Sequence, residues 1–72
     1  MQNVSSAELL SVKNKAISYL EKSIYMLAVL LGIDPDNVSS SMQKPAEIVG
    51  ANQELAFESL INQVTVLENL KG

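Results

Sequence analysis

The only cluster of oxygen ligands in this sequence is Asp34-Pro35-Asp36-Asn37. An EF-hand calcium loop takes ligands at alternate positions and a glycine at the sixth. Counted from Asp34, Val38 stands at the fifth position and Ser39 at the sixth. The acids therefore read as the capped start of a helix, where carboxylates accept from free N–H groups and complement the positive end of the dipole. No metal is expected there. The chain has no histidine and no cysteine, which removes the commonest proton-transfer group and the thiolate nucleophile. Serines are plentiful, but a serine nucleophile needs an adjacent base, and its oxyanion needs donors. Neither is in view, and there is no Gly-rich phosphate loop. Glu21 and Glu58 fall near apolar positions, where single glutamates on amphipathic helices are ordinarily solvated. The expectation is a non-enzyme without cofactor that works by contacting other protein surfaces.

Charge points the same way. Of 72 residues, eight are acidic and five basic, for a net charge of −3, and all five basic residues are lysines. Without arginine the bidentate fork that suits phosphates and guanine edges is missing. Residues 1–31 carry three lysines (13, 15, 22) against two glutamates (8, 21), or +1; residues 32–72 carry two lysines (44, 71) against six acids, or −4. This balance argues against non-specific nucleic-acid binding and against an anionic membrane surface. The apolar run Ile24–Ile33 is about half of the ~20 residues that span a bilayer. No basic segment leads directly into an apolar core at the N-terminus, so a cytoplasmic location is expected. Asn3-Val4-Ser5 and Asn37-Val38-Ser39 match glycosylation acceptors, a pattern that carries no weight without a secretory signal.

The elements that must position any working surface are helices. Ser5 is suited to cap a helix, with Glu8 three residues on to complete a capping box and Val4 and Leu9 placed for a hydrophobic staple. A helix is expected over 6–31, about 39 Å long at 1.5 Å per residue. One seam on it reads Leu10, Ile17, Leu20, Ile24, Leu27 and Leu31, interrupted by Lys13. A second reads Leu9, Val12, Ala16, Tyr19, Met26 and Leu30. Side by side they make an apolar face wider than a coiled-coil stripe. The polar side (Ser11, Asn14, Lys15, Ser18, Glu21, Lys22) ends at Ile24, so the last two turns are expected to be the most buried part of the protein.

Gly32 is placed for a left-handed C-cap, with Ile33 folding back onto Leu27 or Ala28. Asp34 and Pro35 then open a short helix over 35–43, whose Ser39-Ser40-Ser41 run has poor propensity. Lys44-Pro45 breaks it. A third helix is expected over 45–70, weakened at Gly50, with Phe57, Leu60, Ile61, Val64 and Leu67 at helical spacing and Ile48, Leu55, Val66 and Leu70 beside them.

The fold expected over residues 1–72 is a single all-α domain, a hairpin of long, short and long helices. A chain this small has little core and lacks the usual staples, so it is expected to assemble as a homodimeric four-helix bundle or a higher helical oligomer. The oligomer core is assigned to Leu20, Ile24, Leu27, Leu31, Phe57, Leu60, Ile61, Val64 and Leu67. Tyr19, Tyr25, Met26 and Phe57 fall at core or bundle-interface positions. Tyr25, on the polar side yet within the apolar run, makes a partner contact with Val29 the sharpest candidate. The expected partners are a second copy and another protein; the functional class is adaptor, assembly chaperone or inhibitor.

Residues 27–41 also resemble the helix-turn-helix of DNA-binding regulators, with Ala28 in a first helix, Gly32 four residues on, then Ile33 and Val38. That resemblance implies a small DNA-binding regulator as the alternative function. The chain departs from it at Asp34, Asp36 and three serines where phosphates and bases would be met, and at Ser41 where the motif is apolar. A short stretch with Gly32-Ile33, Asp36, Val38 and Glu47-Ile48-Val49 is similar to the small helical tail-fibre assembly chaperones of T-even phages. It implies an oligomer that shields sticky surfaces of another protein.

Overall fold

A computed structural model describes residues 5–72. Among them lie two long helices and one short 3-10 turn: α1 (Ser6–Leu31), the turn Pro35–Asn37, and α2 (Ala51–Lys71). The all-α hairpin is as expected. The staple assigned to Val4 falls outside the described residues.

Both ends of α1 are set by local chemistry. The Ser5 side chain accepts from the Glu8 amide at 3.1 Å, satisfying one of the first-turn N–H groups that have no partner inside the helix. At the other end Gly32 takes φ 75°. Its N–H donates to Val29 O at 3.1 Å, and that of Ile33 donates to Ala28 O at 2.8 Å. This pair of bonds is the Schellman arrangement, and it turns Ile33 back against the core.

The short helix expected over 35–43 is a single turn of three residues. Asp34 closes it with both carboxylate oxygens, one accepting from Asp36 N at 3.0 Å and the other from Asn37 Nδ2 at 2.9 Å. Val38 is already extended, with ψ 141°. The serines that follow spend their hydroxyls on side chains: Ser39 and Ser41 meet each other, and Ser40 donates to Glu68 at 2.6 Å. Serine competes with helical hydrogen bonding in this way, and here it wins.

The last helix starts at Ala51, not near Pro45. Pro45–Ile48 is an isolated turn, closed by Ile48 N donating to Pro45 O at 3.1 Å. It drives Ile48 into the core, where it is 3% exposed. Gly50 then takes φ 94° and ψ 148°, a conformation that an L-residue rarely adopts. Beyond its two chain neighbours, no atom lies within 4 Å of where its Cβ would stand, so the backbone angle calls for glycine. Its carbonyl accepts from Glu54 N at 3.0 Å and begins α2. The Lys44–Glu54 pair at 2.9 Å ties the loop to that first turn.

The core is one cluster of Ile24 and Ala28 from α1, Ile48 from the loop, and Phe57, Leu60 and Val64 from α2. Leu20, Leu27, Leu31, Ile33, Val38, Met42, Ile61 and Leu67 pack around it, half-buried. Lys71, in the last turn of α2, meets Glu21 at 3.0 Å, so α2 ends beside the middle of α1. Upstream, Ser5–Lys15 are exposed throughout, forming an arm of α1 that α2 does not accompany.

Candidate functional site

Because α2 and the loop approach α1 from one side, the apolar run is divided. Ile24 and Ala28 are buried, and Leu27 and Leu31 are half-buried. Tyr25, Met26, Val29 and Leu30 face solvent. The last two turns of α1 are therefore not the most buried part of this chain; one helix and one loop cover a single side of them. On the open side Tyr19 is 71% exposed, Met26 64% and Leu30 78%. Large apolar side chains left open in a row are uncommon on a protein that works alone.

This surface is a shallow apolar trough along one helix. Tyr19, Lys22, Ser23, Met26, Leu27 and Leu30 line its main depression, and Tyr25 and Val29 extend it around the helix. The polar rim is Lys22 and Ser23, with Glu21 next to it. Its lining is mainly apolar. A second, more polar groove runs along α2, lined by Leu20, Leu55, Ser59, Gln63 and Val66 among others. Gln63 donates to Ser59 at 3.4 Å while its Oε1 is enclosed with no partner. Sequence reading missed Gln63. The signal was its place beside Val64 and three residues after Leu60, where a polar side chain borders the core.

The residues assigned to the oligomer core all lie at the junction of α1 and α2 within one chain: Ile24, Phe57, Leu60 and Val64 are buried, and Leu20, Leu27, Leu31, Ile61 and Leu67 are half-buried against them. Tyr25 and Val29 are both exposed on α1. Of the four positions read as core or bundle interface, Phe57 is enclosed, whereas Tyr19, Tyr25 and Met26 are open within the chain.

The chain matches no protein-family model, no curated protein and no solved structure. The described residues bring no three metal-ligating side chains together, and both oxygens of Asp34 are engaged in closing their own turn. No helix among them is long and apolar enough to cross a membrane.

Proposed function

We propose that this chain is a non-enzymatic helical interaction module that associates with itself and acts by joining or covering protein surfaces. The observation that carries the reading is the open apolar side of α1, with Tyr19, Met26 and Leu30 each well over half exposed. Burying a Leu- or Met-sized side chain is worth about 1.5–3 kcal/mol, so covering this stripe supplies the gain that offsets the freedom lost on association. Tyr25 and Val29 lie beside that stripe and supply an anchor for a further protein. The charged residues next to the stripe, Glu21 and Lys22, stand at its rim, where they can keep their water when the apolar side chains are covered.

The regulator reading has less support. A helix-turn-helix places its second helix in the major groove, and here that segment is the three-residue turn Pro35–Asn37. The acids on it repel phosphates.

Light scattering on a dilution series tests the proposal. A species of at least twice the 7.8 kDa chain mass that dissociates on dilution is the expected result. A folded monomer at every concentration refutes self-association.

A further inference from the structure

The open side of α1 has a stricter order than amphipathicity requires. Leu9, Val12, Tyr19, Met26 and Leu30, with the small Ala16 and Ser23 between them, follow one another in alternating steps of three and four residues. Three such heptads in succession are the spacing of a coiled-coil seam. The neighbouring seam (Leu10, Lys13, Ile17, Leu20, Ile24, Leu27, Leu31), whose Leu20–Leu31 half packs on α2, is the same repeat displaced by one residue. A straight helix drifts about 20° per heptad away from a seven-residue repeat, so the pattern keeps one face only when the helix winds around a partner. The open seam also runs out along the Ser5–Lys15 arm, which no described segment of this chain accompanies.

Charge selects the occupant. In a parallel pair of helices, the residue just before each first seam position faces the residue five places on in the partner. For two copies of α1 in register, this sets Glu8 against the partner's Lys13. Among the described residues neither Glu8 nor Lys13 belongs to an ion pair within its own chain. An antiparallel pairing that sets Ala16 on the partner's Tyr19 instead brings Lys15 toward the partner's Lys22, twice over, and like charges repel. Ala16 and Ser23 flank Tyr19 and leave room for two tyrosines to meet. The outer side of α2 is a poorer mate, since Leu55 and Val66 there alternate with Ser59 and Asn62.

Resting on the self-association proposed above, we infer that α1 pairs along this second seam with α1 of a second copy, parallel and in register. Each helix then serves two masters on adjacent faces, its own α2 and the other chain's α1.

The test uses the full chain. Tyr19→Lys with Leu30→Lys is expected to raise the dissociation constant by about 100-fold or more, because central anchors dominate such interfaces, with helicity retained. Ser23→Cys places one thiol per chain against its counterpart and is expected to form a covalent dimer under mild oxidation. Asn14→Cys, on the outer side, is the control expected to stay unlinked. Glu8→Lys is expected to weaken pairing about two- to fivefold, and Glu8→Lys with Lys13→Glu to restore it. A wild-type monomer overturns the self-association reading itself. An oligomer that keeps its mass with both lysines in the seam, or whose Ser23→Cys form does not link, overturns this pairing and leaves self-association standing.

Discussion

The two apolar seams of α1 have the same period and similar composition, yet from Leu20 onward one is enclosed and the other open. The enclosed seam meets Phe57, Leu60 and Val64, three apolar residues of α2 at matching spacing, and it is sealed by Ile48 from the loop. The open seam meets no described segment of its own chain. The difference lies in where the apolar residues that follow α1 are spent. The 19 residues between Leu31 and Ala51 form a loop, of which Ile33, Val38, Met42 and Ile48 pack in or against the core on the first seam, while Val49 stays exposed. Periodicity alone says that a face wants cover. Which face receives it is decided by where the following apolar residues pack.

Substitutions on the two faces should separate folding from assembly. The largest effect is expected at Leu60, which is 0% exposed. Leu60→Ala should cost about 2–5 kcal/mol through lost burial and a residual cavity, and chemical denaturation should show a large fall in midpoint together with loss of assembly. Leu27→Asp, next to the same cluster, should abolish helical signal and association together. Gly50→Ala should destabilise by about 1 kcal/mol or more, since alanine is strained at φ 94°; the same denaturation measurement reads it. Ser5→Ala removes the cap on the unaccompanied arm and should cost about 1 kcal/mol, visible as fraying of the first turn in amide exchange. On the open face, Tyr25→Ala should change monomer stability by less than about 0.5 kcal/mol while weakening capture of a partner protein. If Tyr25→Ala unfolds the chain as Leu60→Ala does, the division between the faces is wrong.

How far the sequence could be read depended on whether a feature was local. The limits of α1 were legible because Ser5 and Gly32 act within a turn of themselves, through one side-chain acceptor and one left-handed backbone. The core residues of α2 were legible from the spacing of Phe57, Leu60, Ile61 and Val64. The start of α2 was not. Pro45 suits the first turn of a helix, and Gly50 is tolerable inside one, so local preference favoured a helix from 45. The structure instead uses the freedom of Gly50 to turn the chain after Ile48 has been seated in the core, a demand set by tertiary packing. The short helix failed for a related reason. Its serines found side-chain partners, one of them Glu68, 28 residues away. Both seams of α1 could be listed from sequence. The core assignment of Leu20, Ile24, Leu27 and Leu31 with Phe57, Leu60 and Val64 holds within one chain, whereas the openness of the neighbouring seam depends on tertiary packing that local pattern does not carry.

The most direct test of the two-seam account is residue-resolved amide exchange of α1 in dilute and concentrated solution. The account predicts that the amides around Ile24–Leu31 are protected at both concentrations by the chain's own core. Those of Ser11–Leu20, on and near the arm that α2 leaves bare, should slow markedly only when the chain is concentrated. Exchange along all of α1 that is independent of concentration, with the arm open throughout, would contradict it.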